Sequence, residues 1–303
     1  MNVVIKVNEE IKQKMIEYYK DKCRDKVIPY VVFQAQEEDT VITMYESGKV
    51  MFQGTSADVD AAMWGVALEN TKEKKNEQKE ENKKYYYCSS IGSDEVGTGD
   101  YFGPIVVTAC YVSKDDISFL EKLGVGDSKK IDDSKILKIA PDIAKKIKYR
   151  SIILTNKEYN EKYQKDVNMN KIKAIMHNKV LYQLNNEEKP KIDYIIVDEF
   201  AREARYYEYI KDMKEIQKNI TFMTKAEDKN MAVACASVIS RYIFLKEFDK
   251  LSDYLHTPLP KGAGRDVDKI GEEIVDKYGE DILKEVAKIN FKNTERILHT
   301  LIY

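Results

Sequence analysis

The chain has 303 residues, of which 43% are hydrophobic and 34% charged, and its 50 basic and 52 acidic side chains leave a formal net charge of −2. This composition excludes a wholly disordered chain and a collagen, and no apolar run reaches the roughly 18 residues of a membrane helix. The near-zero charge argues at first against a nucleic-acid binder, which is usually basic. Cys23, Cys88, Cys110 and Cys235 form no CxxC pair, and residues 1–10 lack a signal peptide's basic start and apolar core. Both features point to a reduced, cytoplasmic protein without a zinc site. The length sets a prior of about two domains.

Residues 1–70 predict a small antiparallel sheet with helices packed on it. Ile11, Met15 and Tyr18 or Tyr19 share a stripe over 9–20, which predicts a helix. Residues 30–36 and 41–45 predict strands, and Ser47-Gly48 turns the chain into another at 49–53. A second helix is predicted over 57–68, with Val59, Ala62, Met63 and Val66 as its apolar face. Residues 71–84, TKEKKNEQKEENKK, contain no apolar side chain and predict a linker. Strands and helices then alternate through 85–303. Strands are predicted at 85–93, 103–112, 149–155, 193–200 and 220–224. Helices are predicted at 135–148, broken at Pro141, and at 170–184, 229–251, 271–278 and 281–287. The pattern predicts an α/β domain built on a mixed sheet.

Three acidic segments stand out. Asp94-Glu95 precedes Val96-Gly97-Thr98-Gly99-Asp100. Neighbouring side chains on a strand point to opposite faces, so both acids can serve one site only if the strand ends or bends there. Gly97 and Gly99 permit a bend and leave N–H groups open to a phosphate. Asp198 closes the apolar run 194–197, at a strand end, where α/β sheets place their sites; Glu199 should face the other way. The third segment is Lys225-Ala226-Glu227-Asp228, ahead of the long helix, where acids also complement the helix dipole. Ala232, Ala234, Ala236 and Ser237 would let that helix approach the sheet closely, and Cys235 reads as core. Hard oxygen donors from three distant segments suit Mg²⁺ or Mn²⁺. Two such ions about 4 Å apart can drive phosphodiester cleavage. His177, His256 and His299 form no HExxH motif, and no GxxxxGK[ST] loop is present.

The run 94–104, DEVGTGDYFGP, resembles the signature of the type 2 ribonucleases H, and within them that of the ribonuclease HIII branch. Asp127-Ser128-Lys129-Lys130, the 170–178 stretch ending His177-Asn178, residues 259–264 (LPKGAG) and 291–295 (FKNTE) resemble the same branch. Phe33-Gln34-Ala35, Ser47-Gly48-Lys49-Val50 and Phe52-Gln53-Gly54 resemble its N-terminal domain. Thr98 stands where the ribonuclease HII branch usually has Arg.

The resemblance implies an α/β ribonuclease H-like catalytic domain, a mixed β-sheet flanked by helices, over 85–303. It also implies a substrate-binding antiparallel domain, similar to the TATA-box-binding protein, over 1–70. The implied activity is endonucleolytic cleavage of the RNA strand of RNA–DNA hybrids with two Mg²⁺ or Mn²⁺ ions, leaving 5′-phosphate and 3′-hydroxyl ends. The alternatives are incision at single ribonucleotides in DNA and a non-catalytic hybrid-binding protein. No membrane and no obligate protein partner is expected. The implied metal ligands are Asp94, Glu95, Asp198 and Glu227, with Asp228 in reserve because the family often has Ser there. Gly97, Thr98 and Gly99 would meet the backbone and 2′-hydroxyls of the cut strand. Lys129, Lys225 and Lys261 would bind phosphate. His177 reads as structural or as a support for the ligands. Aromatic Phe33, Tyr45 and Phe52 are candidates for a nucleic-acid surface, with core the expected role for most. On this reading four of the acids are metal ligands. Their neutralisation by two divalent ions leaves residues 85–303 net basic, with a shallow salt dependence.

Overall fold

Alternating apolar residues build two sheets, each in its own compact unit, Met1–Glu81 and Asn82–Tyr303. The structure, a computed structural model, describes residues 2–24, 28–64, 83–126, 131–163 and 167–299. The first unit holds β1 (Asn2–Lys6), α1 (Glu9–Tyr19), β2 (Val31–Glu37), β3 (Thr40–Tyr45), β4 (Lys49–Gly54) and α2 (Ala57–Met63). Its four strands lie in the antiparallel order β1-β4-β3-β2. Ile5, Ile42, Met44, Val50 and Phe52 meet Met15 and Tyr19 in its core. Phe33 and Phe52 belong to that core, and only Tyr45 of the three candidate aromatics is half-buried.

This unit holds one strand that was not predicted, and one expectation changes. β1 carries one buried side chain, Ile5, so its alternation is too weak to read from sequence. The α2 face is reversed: Ala57 and Ala61 are buried, whereas Val59 and Met63 are exposed. Small side chains seat this short helix on the sheet, and hydrophobicity alone selected the wrong stripe. Of the predicted linker, only Lys83 and Lys84 lie among the described residues, and both belong to a helical turn, 83–86.

The second unit begins with that turn. Its strands are β5 (Ser90–Val96), β6 (Ile105–Val112), β7 (Lys148–Leu154), β8 (Tyr194–Asp198) and β9 (Ile220–Met223). Its helices are α3 (Ile117–Leu123), α4 (Asp133–Lys146), α5 (Asn156–Lys162), α6 (Met169–Glu188) and α7 (Glu203–Ile210), then α8 (Met231–Leu255), α9 (Arg265–Tyr278), α10 (Leu283–Val286) and α11 (Lys292–Ile297). The strand order is β7-β6-β5-β8-β9. β5, β6 and β7 pair antiparallel, and β8 and β9 extend the sheet in parallel, which makes it mixed. β6 is apolar apart from Thr108, whose hydroxyl bonds Ser151 at 2.8 Å, because both faces are covered. Val106, Cys110 and Val112 pack with α8, and Ile105, Val107 and Ala109 pack with α6.

The strand predicted over 85–93 is thus displaced. The tyrosines 85 and 86 are helical, and β5 runs on to Val96 with both acids inside it. Pro141 does not break α4, which is continuous over Asp133–Lys146. The N–H that Pro141 lacks would have reached the carbonyl of Leu137, an exposed residue that solvent can satisfy. The small residues of α8 behave as expected. At Gly92 a Cβ would lie 2.4 Å from the Val233 nitrogen, so helix and sheet touch backbone to backbone.

Candidate active site

Strand alternation sends the two neighbouring acids of β5 to different helices. Asp94 lies on the side of α8, where Ser240 Oγ donates to its carbonyl at 3.1 Å and Ser237 bonds its carboxylate. Glu95 lies on the side of α6. Its Oε1 pairs with Lys173 and its Oε2 meets His177 Nε2 at 2.9 Å. His177 is fully buried and its Nδ1 lies 2.8 Å from Ser93 Oγ, one side chain back on the same face of β5. The strand therefore neither ends nor bends at the acids. β8 pairs with β5 only as far as Ser93, so both carboxylates project just past the last parallel rung.

Their electrostatics diverge. Burial, then the charges of Glu95 and Glu227, push Asp94 up to about 7. Burial alone would also raise Glu95, but the hydrogen bond and charge of His177 and the ammonium of Lys173 bring it down to about 2. Lys173 also sits 4.1 Å from the centroid of the Phe200 ring, which fixes its head against the carboxylate.

Asp198 ends β8, next to β5, and its Oδ1 accepts from the Ala226 N–H at 2.9 Å. That bond ties the strand end to the short turn carrying Glu227. Burial, then Asp198 and Asp228, raise the Glu227 carboxyl above its ordinary value. The turn is anchored by buried Asn230, the N-cap of α8. Its Oδ1 accepts from Ala232 and Val233 N–H at 3.0 Å, and its Nδ2 donates to the Tyr85 carbonyl at 2.8 Å. The four predicted acids are thus brought into one electrostatically coupled group, and Glu199 is exposed outside it. Among the described residues, no three Asp, Glu, His or Cys side chains lie close enough together to hold a metal ion as they stand. The donor set still fits hard divalent cations: burial and then neighbouring carboxylates raise Asp94 and Glu227, and positive charge relieves that repulsion.

Gly97 needs to be glycine, because its φ is +89° and a Cβ would lie 2.1 Å from the Pro104 carbonyl oxygen. Gly99 is exposed and a Cβ there would meet nothing within 4 Å, so its backbone is open to a ligand. Thr98 is half-buried between them. Lys225 is exposed, and its charge acts on Glu227. Lys261 donates to Asp133 Oδ2 at 2.6 Å, and Arg241 grips the same carboxylate at 2.8 and 3.1 Å. Lys129 lies outside the described residues. A cavity of about 490 Å³ adjoins the acids, with Glu95, Glu227, Ser237, Asp133 and Arg241 on its wall. Lys173, Asn230 and Arg241 are site residues that the sequence reading missed. Lys173 and His177 are spaced i, i+4 on a predicted helix, the one signal that could have paired them.

The "Ribonuclease HII" family model matches residues 91–294, which hold all four acids, and a model described as a domain of unknown function (DUF3378) matches residues 2–77. The ribonuclease HIII of Bacillus cereus is 38% identical, with 99% of each chain covered. The chain belongs to the ribonuclease HIII family. A second ribonuclease HIII, from Lysinibacillus sphaericus, is 40% identical over 97% of this chain and 98% of its own. The crystal structure of Bst-RNase HIII in complex with Mn²⁺ superposes with a TM-score of 0.70 at 36% identity, over 99% of this chain and 98% of that one. The ribonuclease HIII likeness therefore spans both units of the chain, not the catalytic unit alone.

Proposed function

We propose that this ribonuclease HIII-family enzyme cuts the RNA strand of RNA–DNA hybrids at the Asp94, Glu95, Asp198 and Glu227 site, leaving 5′-phosphate and 3′-hydroxyl ends. The observation that carries the reading is the coupled set of acids. Burial and then the charges of Glu95 and Glu227 raise Asp94, and burial and then Asp198 raise Glu227, although these acids stand on three different elements. A protein that only bound hybrid would have no reason to gather repelling carboxylates beside phosphates. Mg²⁺ or Mn²⁺, two ions in the working state, would supply Lewis acidity and an activated water there. The Mn²⁺ complex of Bst-RNase HIII supports this choice of cation.

The chain's own groups have separable tasks. Asp94, Asp198 and Glu227 offer carboxylate oxygens. Lys173 and His177 keep Glu95 ionised and aimed. Gly99 and Thr98 present backbone and hydroxyl to the ribose side of the strand, which distinguishes RNA from DNA. Lys225 is placed for a phosphate, as is Lys261 once released from Asp133, and Lys129 has the same proposed task. Residues 1–70 would bind the hybrid, 71–84 would tether them, and 85–303 would cut. The enzyme would work in the cytoplasm without an obligate protein partner. Among the described residues, no helix is long and apolar enough to cross a membrane.

The test uses labelled uniform hybrid and, separately, duplex DNA with one embedded ribonucleotide, each in Mg²⁺ and in Mn²⁺. Rapid cleavage of the hybrid supports the reading. Preferential incision at the single ribonucleotide would assign ribonuclease HII-type activity instead, and binding without cleavage under every condition would sink the proposal.

The fourth acid has its own test. Glu227→Gln is expected to lower cleavage by on the order of a hundredfold and weaken Mn²⁺ binding in calorimetry. Asp228→Asn, at an exposed position, should change either by no more than about threefold. The reverse order would move the ligand to Asp228.

A further inference from the structure

A lysine with no exposed surface is rare, because burial disfavours its charge and long chains lose freedom on ordering. Lys288, between α10 and α11, is 0% exposed. Its Nζ donates to two backbone carbonyls, Asp100 at 2.7 Å and Gly103 at 2.6 Å. Both belong to the turn that follows the Gly97-Thr98-Gly99 run. Burial pulls the Lys288 pKa down to about 7, opposed by the Asp100 carboxylate. Even the neutral amine keeps two N–H donors, one for each carbonyl.

The same C-terminal segment grips the turn repeatedly. Lys288 N–H donates to the Tyr101 carbonyl at 2.9 Å, and Phe102 bridges Ala287. From another side, Gly262 N–H donates to Asp100 Oδ1 at 2.6 Å, and Tyr101 N–H donates to the Gly262 carbonyl at 2.8 Å. The turn needs outside support. Gly97 and Gly103 hold φ values of +89° and +79°, and the Gly99 position is open. Glycines at three of seven positions leave its own backbone little stiffness. An apolar side chain would fill the Lys288 site at lower cost if packing were its only task.

We propose that Lys288 is a positioning residue for the substrate, holding the 97–103 turn in the shape that presents Thr98 and Gly99 to the RNA strand. The proposal rests on the reading of that turn as the ribose-contacting loop. Lys288 touches no reacting atom. It acts through the carbonyls of Asp100 and Gly103, and its effect should fall on RNA recognition rather than on general affinity for duplexes.

The experiment compares the full-length wild type with Lys288→Met, below the melting temperature of both. It measures kcat and KM on uniform hybrid and the inhibition constant of an all-DNA duplex of the same sequence, which offers no 2′-hydroxyl. The expected result is a hybrid KM raised about tenfold or more, with the DNA inhibition constant changed by no more than about twofold. Unchanged kcat and KM in the folded variant would overturn the proposal and leave Lys288 a packing residue. Equal weakening toward hybrid and DNA would also overturn it. If the Met variant does not fold, Lys288→Gln takes its place. It keeps two N–H donors on a shorter chain, and the hybrid KM alone should again rise. Thr98→Val separates the two levels of the argument. If it leaves the ratio of hybrid to DNA affinity unchanged, the ribose-contacting reading falls, and this proposal with it. If it lowers that ratio while both Lys288 variants behave as wild type, only the role of Lys288 falls.

Discussion

Replacing Asp94 by Asn is expected to lower hybrid cleavage by about a thousandfold or more while making the metal-free protein more stable at pH 8. The two effects have one cause. Asp94 lies partly buried with Glu95 and Glu227 acting on it, and its pKa stands at about 7 against an ordinary 3.8. The folded state therefore holds the proton more tightly than the unfolded chain does. Stability falls as pH rises from about 4 to about 7, and above that the full cost of the buried charge is present. Asn carries no charge at any pH, so its gain should be small at pH 5 and full at pH 8. Allowing for solvent at a partly exposed site, that gain is roughly 1–3 kcal/mol. Urea unfolding in EDTA at the two pH values measures it. A gain of equal size at both would show that the carboxylate's ionisation is not the source. Added Mn²⁺ should reverse the order of stability, because a cation that binds only the folded wild type stabilises it by mass action.

How much of this site could be read from the chain depends on what each residue answers to. Asp198 was legible because a buried strand advertises itself as an apolar run, and the acid after it marks the strand's end. The Asp94-Glu95 pair was legible through its Gly-rich successor. Its geometry was not. The glycines suggested a bend, whereas the strand continues to Val96 and alternation sends the acids to opposite helices. The aromatic run 85–87 looked like the start of that strand, but Tyr85 and Tyr86 belong to the preceding turn, whose Tyr85 carbonyl takes a bond from Asn230. No local propensity encodes a partner 145 residues away.

The supports of the site were harder still to see. Lys173, Asn230 and Lys288 are polar residues in segments that read as ordinary helix or loop. Each is buried because a particular carboxylate or carbonyl waits for it there. Composition sees a lysine and infers solvent. In the first unit the same limit reversed α2, where two alanines, not Val59 and Met63, face the sheet. Hydrophobicity predicts which element is buried better than it predicts which of several small faces wins the contact.

Replacing Lys173 by Met is expected to destabilise the protein by roughly 2–4 kcal/mol at pH 7 and to lower cleavage by about 10–100-fold. Lys173 pairs with Glu95, and both side chains are nearly buried, at 11% and 13% exposed. Without the ammonium, His177 is the named partner among the described residues that still offsets the burial of the carboxylate. The pH dependence has a definite sign. Glu95 is held down to about 2 in the folded state against an ordinary 4.5. Its pairing therefore contributes fully above about pH 4.5, and the contribution disappears as pH falls toward 2. The difference between wild type and Lys173→Met should be largest at pH 5 to 7 and clearly smaller at pH 3, as read by denaturant unfolding. A loss of the same size at every pH would instead trace to the lost contact of the ammonium with the Phe200 ring, which does not depend on the charge of Glu95. Activity discriminates further. If Lys173 serves to aim Glu95, the variant should need more Mn²⁺ for half-maximal cleavage and bind Mn²⁺ more weakly in calorimetry without substrate. If the lysine merely competes with the cation for Glu95, its removal would tighten Mn²⁺ binding. The sign of that one shift decides whether the buried ion pair prepares the site or restrains it.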